Sequence, residues 1–427
     1  MFATRSPARR NDLLLIPADI RSRAFRWRFA AILAALAALG PFSIDAYLPA
    51  FAGIQASLGA TPLEIQQTLS AYLFAFGLMF LFHGALSDSF GRRSVILVAL
   101  VVYTLASAGA ALAPNVHMLI VWRVVQGLSV GAGMVVGRAM IRDLFGSEDA
   151  QRLMSLVTLF FGLAPAVAPV IGGLLFASLG WRSIFWLLTA IGLVLVVVGW
   201  MRLPETLPET SRQPFHFVAL VQGYEEVGIH ARFLLLSLCV GFNFNAFFLY
   251  IVSAPVFLGE HLHLGPQQYA WLFLPCILGI MFGSQLSGRA AGRYLPPQTV
   301  RRAYGFMVVA ALANLVYAFS MPPSLPWAVL PIAIFGIGFA MAMPSVSLIT
   351  LDLFPTRRGM AASLQGFVSG MVNVVTAGVI SPAVSHDPRW LAVAMVALMA
   401  AGLSSWLLYL RASRRRAAQP PEPAPPL

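Results

Sequence analysis

Long apolar runs, separated by short polar connections, follow one another along the whole chain. A membrane-spanning helix needs roughly 20 mostly apolar residues, and twelve runs have about this length. The pattern therefore predicts an all-α membrane protein with twelve transmembrane helices. The predicted spans are residues 29–51, 68–86, 95–113, 118–140, 153–178, 183–201, 233–258, 269–286, 304–321, 327–350, 360–384 and 390–409.

The distribution of arginine predicts how these spans are oriented. Arginines collect before the first run, in every second connection and after the last run, whereas the alternate connections contain only Arg182 and Arg389. Because cytoplasmic loops carry an excess of basic residues, both termini are predicted to be cytoplasmic. The longest polar connection then separates two six-helix halves. The predicted parts are a cytoplasmic N-terminal segment 1–28, an N-terminal half 29–201, a central cytoplasmic loop 202–232, a C-terminal half 233–410 and a disordered, Pro-rich cytoplasmic tail 411–427.

The overall composition agrees with a multi-pass membrane protein. Of the 427 residues, 59% are hydrophobic and 10% are charged, and the mean hydropathy is +0.80. The net charge of +12 would suit an acidic partner, but the arginines lie in short loops, without a soluble face of mixed basic and aromatic residues. We therefore predict membrane lipids as neighbours and no nucleic-acid partner.

Two halves of six helices are the usual plan of secondary transporters, which bind substrate between the halves. The alternatives are a membrane enzyme or a scaffold, but no catalytic constellation supports an enzyme. His261 and His263 could bind a metal, although no third ligand is near them in the sequence. We predict a monomeric transporter without enzymatic activity, without a metal site and without a cofactor, with the proton as the coupling ion.

The connection between the second and third runs reads GALSDSFGRRS. Gly84 and Gly91 allow a tight turn at the membrane surface, and Asp88 can pair with Arg92 or Arg93 or with nearby helix ends. An excess of arginine in cytoplasmic loops would explain the two arginines, but not the spacing of the glycines and the aspartate.

This connection resembles the hallmark loop of the major facilitator superfamily, and two further segments agree. LIVWRVVQG, at 119–127, is similar to the superfamily's fourth-helix pattern, and GLAPAVAPVIGG, at 162–173, resembles the fifth-helix motif of drug/proton antiporters. The second half departs from the pattern, because Gly288 stands where Asp88 would recur. The fifth-helix motif contains Pro165, Pro169, Gly172 and Gly173.

A narrower resemblance is to the Bcr/CflA subfamily of bacterial drug efflux proteins. It is carried by PFSIDAYLPAF together with RAMIRDLF, GWRSIF and YIVSAP. The resemblance implies the major facilitator fold and proton-driven export of small apolar or cationic drugs across the bacterial inner membrane. The alternative is an exporter, or a proton-coupled importer, of an amino acid or a sugar on the same fold.

Asp45 is an acidic residue well inside a predicted span, and a charge in such a position is functional by default. Counted along the helices, Asp45 lies about 9 Å below the outer membrane face and Arg123 about 7–8 Å below it. The superfamily resemblance places their two helices at the central cavity. We therefore predict that the two charges pair and that Asp45 is the proton-coupling carboxylate. A static ion pair is the alternative.

Two further groups of residues are predicted to act in transport. The alternative for the substrate contacts is hydrogen bonding and aromatic packing between helices. The gate also includes the loop and fifth-helix residues named above, and the alternative for its charged residues is surface ion pairing. The predicted substrate contacts are Phe42, Tyr47, Gln126, Asn243, Phe247 and Tyr250. The conformational gate is predicted to be completed by Arg142 and Asp143.

Overall fold

The structure, a computed structural model, describes residues 22–145, 147–355 and 357–417. Within these ranges the regular structure is helical, and no β-strand occurs. The helices are α1 (Arg23–Asp45), α2 (Phe51–Leu58), α3 (Pro62–Met79), α4 (His83–Phe90), α5 (Arg92–Ala111), α6 (Val116–Val130), α7 (Ala132–Leu144), α8 (Ser147–Leu179), α9 (Arg182–Arg202), α10 (Phe217–Gly228), α11 (Ala231–Val252), α12 (Ala254–Val256), α13 (Ala270–Ala290), α14 (Pro296–Ser320), α15 (Leu330–Asp352), α16 (Arg358–Val375), α17 (Ser381–Val384) and α18 (Pro388–Ala417).

Ten helical segments of the described residues are long and apolar enough to cross a membrane. The number rises to 11 if α3 and α4, which meet at a bend of 50°, form one span. Each predicted run falls on one helix or on consecutive helices. The fifth run lies in α8, where several side chains are outside the described part. The protein is thus a multi-pass membrane protein; twelve spans and cytoplasmic termini stay predictions.

The chain divides into two compact units, Met1–Phe217 and Val218–Leu427. In unit 1 the main helix pairs are α1 with α8, α3 with α6, and α5 with α9. Unit 2 contains the corresponding pairs α11 with α16, α13 with α15, and α14 with α18. Unit 2 also packs α14 on α15 and α11 on α18 extensively, so the pairing of the long helices agrees between the two units only in part.

Two predicted polar segments contain more helix than their composition suggested. The predicted central loop, 202–232, contains α10. The boundary between the two units follows Phe217, the first residue of α10. The tail was predicted to be disordered from residue 411, but α18 continues through Ala417. The prediction is wrong for 411–417, because an arginine-rich sequence can extend a helix that already exists. Residues 418–427 lie outside the described part of the chain.

Side-chain caps determine where two helices of unit 1 begin. At the start of α3, the Thr61 hydroxyl accepts a hydrogen bond from the Glu64 amide at 3.2 Å, and the Glu64 carboxylate accepts one from the Thr61 amide at 2.7 Å. At the start of α6, the Asn115 side chain accepts a hydrogen bond from the Met118 amide at 2.9 Å. These contacts satisfy backbone donors that lack partners within the helix.

The first span is interrupted directly after Asp45. Helix α1 passes through Pro41 and ends at Asp45, and a 3₁₀ turn, Leu48–Ala50, leads into α2. Pro49 has no N–H group and cannot donate to the carbonyl of Asp45, four residues earlier. The interruption packs on α8, where Gly172 is so close that a Cβ atom would lie 2.0 Å from the Ala46 carbonyl oxygen.

This close approach predicts that Gly172→Ala destabilises the protein. The added methyl group would force α8 away from α1, and overpacking of this kind costs roughly 1–3 kcal/mol. We expect a lower temperature of thermal unfolding for purified protein in detergent. Gly305→Ala in α14 is the control, because a Cβ atom there has nothing within 4 Å. Equal unfolding temperatures for the two variants would contradict the packing described here.

Candidate functional site

The guanidinium group of Arg123 lies fully buried in unit 1, at 0% exposure. Its Nη1 donates to the Gln126 side-chain oxygen at 3.0 Å and to the Ser43 carbonyl at 3.4 Å. The Cζ atom lies 4.1 Å from the ring centre of Tyr72 and 4.8 Å from that of Tyr47. The Nε and Nη2 groups have no hydrogen-bond partner among the described residues. The two aromatic faces therefore supply much of the compensation for this buried charge.

Buried hydroxyl groups hold these rings and the neighbouring part of α1 in position. The Tyr72 hydroxyl donates to the Gly40 carbonyl at 3.0 Å. The hydroxyl groups of Tyr103 and Ser43 are 2.6 Å apart and hydrogen-bonded. Tyr72 and Tyr103 were not predicted as site residues. The only sequence signal was a tyrosine in an apolar run, whose hydroxyl needs a partner when it is buried.

Asp45, the last residue of α1, is buried with 4% of its surface exposed. Its carboxylate forms no ion pair or hydrogen bond with any other described residue. The predicted direct pair with Arg123 is therefore wrong for this structure. The guanidinium reaches α1 at the carbonyl of Ser43, two residues earlier, because Gln126 and the tyrosine rings hold it there. Both charges are buried in the same part of unit 1 without touching.

Two predicted substrate contacts in unit 1 are packing residues in this structure. Tyr47 is fully buried, and its hydroxyl lies 2.7 Å from that of Thr68. Gln126 is fully buried as well, and its amide donates to the Ser107 hydroxyl at 2.7 Å. These side chains are part of the surroundings of Arg123 and are buried in this structure; their contact with a drug stays a prediction. Phe42, by contrast, is only half-buried.

The three predicted contacts on α11 are buried inside unit 2. Asn243 donates to the Tyr304 hydroxyl at 2.7 Å. Tyr250 accepts a hydrogen bond from the Asn314 amide, also at 2.7 Å. Phe247 is 5% exposed. Asn243 and Tyr250 thus join α11 to α14, as the packing alternative expects. The role of the three residues in substrate binding stays a prediction.

The hallmark connection does form a charge network. Arg92 is 2.5 Å from Asp88, and its Nε group is 3.2 Å from Asp143 at the end of α7. Its Nη1 group also donates to the Ser87 hydroxyl at 2.6 Å. Arg142 belongs to no such pair among the described residues, which corrects the prediction that it joins the network. Arg142 and Asp143 are both exposed, but of the two only Asp143 reaches Arg92.

Glu205, in the segment after α9, is a member of this network that the sequence did not reveal. Its carboxylate accepts hydrogen bonds from the amides of Arg92 at 3.0 Å and Arg93 at 3.2 Å, the first two residues of α5. Gly91 precedes them with φ of 92°, and a Cβ atom there would lie 2.6 Å from Glu205. A carboxylate at a helix N-terminus satisfies free N–H groups and the helix dipole. The hallmark turn is thereby tied to the end of the sixth predicted span.

The remaining predicted gate residues occupy two places in unit 1. Arg93 donates to the Trp200 carbonyl at 2.6 Å, while Gly84 has open space where a side chain would be. Pro165 and Pro169 lie inside α8. Gly173 is buried in the same helix.

The described residues contain no cluster of three or more His, Cys, Asp or Glu side chains that could hold a metal. His261, one of the two histidines considered from the sequence, is hydrogen-bonded through Nε2 to the Ser385 carbonyl at 2.7 Å. The candidate site around Arg123 consists of buried charged groups, aromatic rings and hydroxyl groups.

Comparison with known proteins decides the family. The sequence model of the Major Facilitator Superfamily matches residues 30–377. The chain belongs to this superfamily. Its structure resembles that of a bacterial homologue of the human lysosomal transporter Spinster, with a TM-score of 0.72 at 16% identity, over 94% of this chain and 100% of that one. The all-helical major facilitator fold predicted from the motifs is thus confirmed, and proteins of this superfamily are transporters, not enzymes.

Relatives from bacteria share more of the sequence. An uncharacterized MFS-type transporter, YdgK, from Bacillus subtilis is 32% identical over 88% of this chain and 92% of its own length. A bicyclomycin resistance protein homolog from Haemophilus influenzae is 31% identical over 61% of this chain and 66% of its own length. Multidrug resistance protein D from Escherichia coli is 28% identical, over 80% and 85% respectively. The predicted likeness to Bcr/CflA proteins is confirmed.

The position of Glu205 predicts that Glu205→Ala loosens the hallmark turn. The variant removes a cap from α5, and such losses cost roughly 0.5–2 kcal/mol. We expect thermal unfolding at lower temperature and faster hydrogen exchange of the first amides of α5. Glu209→Ala is the matched control, because its side chain is 84% exposed and contacts only the Arg212 side chain, at 3.6 Å. If both variants behave alike, Glu205 is an ordinary surface carboxylate.

The surroundings of Arg123 predict that Tyr72→Leu is more harmful than Tyr72→Phe. Phenylalanine loses the hydrogen bond to Gly40, worth about 1 kcal/mol, but keeps the ring over the guanidinium. Leucine also loses the cation–π contact, worth roughly 2 kcal/mol when desolvated. The measurement is unfolding of both purified variants under identical conditions. Equal losses of stability would show that the ring does not stabilise Arg123.

Proposed function

We propose that this chain is a drug/proton antiporter of the Bcr/CflA type that exports drugs across the bacterial inner membrane. The observation that carries the proposal is the buried Asp45 carboxylate, which has no ion-pair or hydrogen-bond partner among the described residues, in the part of unit 1 that also holds Arg123. Bacterial relatives named as multidrug and bicyclomycin resistance proteins support the substrate class.

The proposed coupling follows from the chemistry of the two charged groups. A carboxylate that no ion pair occupies is available to a proton, whereas arginine keeps its charge under all working conditions. Neutralising Asp45 changes the electrostatic energy of this part of unit 1, where Arg123 then remains as a fixed cation. A ligand shifts a conformational equilibrium only as far as its binding free energy differs between the two conformations. Proton binding at Asp45 can therefore drive the transport cycle.

A cationic drug and a proton are two alternative ways to neutralise the same carboxylate. If the bound drug leaves as the proton arrives, export of one is linked to entry of the other. Phe42 lies one turn before Asp45 on α1 and is half-buried. Its ring is our candidate drug contact, since aromatic faces attract apolar and cationic ligands. The other five predicted contacts are buried in this structure, and their role in drug binding stays a prediction.

The finer features of the predicted architecture complete the proposal. These are twelve spans, cytoplasmic termini and a monomeric protein in the inner membrane. The distribution of arginine along the chain supports the orientation. The network of Asp88, Arg92, Asp143 and Glu205 is proposed as a cytoplasmic latch, because it joins α4, α5 and α7 to the segment that follows α9.

Asp45→Asn is predicted to abolish proton-coupled export. Asparagine is nearly isosteric, but it cannot exchange a proton. In vesicles with an acidic lumen, purified wild-type protein should move protons out of the lumen when a drug is added outside, because antiport exchanges the entering drug for a proton. The variant should not. Cells of an efflux-deficient host should lose resistance to the same drug. Asp45→Glu, which restores a carboxylate, should recover part of the coupling.

Glu225→Gln is the matched control, because Glu225 is an exposed carboxylate on α10 and its loss should leave coupling intact. Undiminished proton flux in Asp45→Asn, with folding verified by gel filtration, would refute the proposed role of Asp45. If the wild-type protein moves amino acids or sugars with protons and no drug in a broad panel, a metabolite transporter replaces the drug exporter.

A further inference from the structure

Four arginines lie close together where α13 ends and α14 begins. They occupy the stretch 289–302, and no acidic residue occurs anywhere between Glu260 and Asp352. All four are exposed: Arg289, Arg293, Arg301 and Arg302. None of them forms an ion pair with another described residue. The positive charge at this end of unit 2 is therefore uncompensated.

Three of these arginines border a groove of about 730 Å³ between α13, α14 and α15. Its polar rim consists of Arg289, Arg293, Arg302 and Tyr294. Arg302 stacks on Tyr294, with 3.5 Å between its Cζ atom and the ring centre. The pKa of the exposed Tyr294 phenol is lowered, first by the hydrogen bond from Arg302 and by the charge of Arg302, and more weakly by Arg293. The rim thus favours negative charge.

The groove becomes apolar beyond this rim. Phe306 and Val309 follow Arg302 at spacings of four and seven residues, so they share one face of α14; they are 40% and 67% exposed. The rest of the apolar lining includes Ile334 and Met341 from α15. The patch thus has a cationic rim at the end of the spanning helices and an apolar floor along them. These two parts match the headgroup phosphate and the acyl chains of a phospholipid.

We propose that this groove binds an anionic phospholipid. The planar guanidinium groups of Arg293 and Arg302 would each bind phosphate oxygens in pairs, and an acyl chain would lie along Phe306 and Val309. The absence of acidic residues from 261–351 disfavours a zwitterionic headgroup, whose cation would find no partner. Basic pockets between spanning helices on the cytoplasmic side commonly hold such lipids, and this connection is on the side predicted to be cytoplasmic.

The binding of phosphatidylglycerol to the full-length protein in detergent tests the proposal, with native mass spectrometry and thermal unfolding as measurements. The wild type should retain phosphatidylglycerol and unfold at higher temperature with it, because a ligand of the folded state stabilises that state. Arg293→Gln/Arg302→Gln should bind at least about tenfold more weakly. The control with equal charge removal is Arg411→Gln/Arg414→Gln in α18, which should bind as the wild type does.

A second variant tests the apolar part of the groove while the charges remain. Gly305 lines the groove on α14, and a Cβ atom there has nothing within 4 Å. Gly305→Trp would place an indole ring in the groove and should displace the lipid. The proposal is overturned if either groove variant binds phosphatidylglycerol as tightly as the wild type. It is also overturned if phosphatidylcholine binds equally well, or if inorganic phosphate alone gives the same stabilisation.

Discussion

A guanidinium group buried at the depth of the membrane determines how much of unit 1 is arranged. An arginine there is costly unless protein groups replace the water that it loses. Arg123 receives a carbonyl, an amide oxygen and two tyrosine faces instead. These groups come from α1, α3 and α6 and from the break after α1. The rotation of each of these three helices about its own axis is therefore constrained by the need to accommodate the charge. The same surroundings leave the Asp45 carboxylate without an ion-pair or hydrogen-bond partner among the described residues, and the proposed proton coupling rests on that.

The end of α1 illustrates how backbone and side-chain requirements combine. The carbonyl of Asp45 cannot receive a hydrogen bond from Pro49, and the chain passes through a 3₁₀ turn at this point. Gly172 allows α8 to lie directly against the turn. A glycine in a motif of the fifth predicted span thus supports the shape of the first span beside its carboxylate. This gives the proline- and glycine-rich motif a physical role that needs no contact with substrate.

The two sets of polar residues outside this site serve different purposes. On α11 they form buried hydrogen bonds to α14, as Asn243 does through its amide N–H to Tyr304 and as Tyr250 does with Asn314, although the Asn243 side-chain oxygen has no hydrogen-bond partner among the described residues. Between α13 and α14 the arginines are exposed and form no ion pair within the described part of the chain, and three of them border an apolar groove. A polar group that is already satisfied inside a protein contributes to packing, whereas an unpaired cation beside a hydrophobic surface can attract an amphipathic ligand. This difference, not polarity itself, separates interhelical packing from a candidate lipid site.

Features that depend on residues near one another along the chain could be predicted from the sequence. Run length indicated the helices, the position of arginine indicated an orientation, and the spacing of Gly84, Asp88, Gly91 and Arg92 indicated the family. The tertiary structure decided which side chains meet. Arg123 contacts Ser43 and two tyrosines, and Glu205 accepts hydrogen bonds from the start of α5, which is more than a hundred residues away in the sequence. The reason is physical: hydropathy shows that a helix crosses the membrane, but only packing against its neighbours determines its rotation about its own axis.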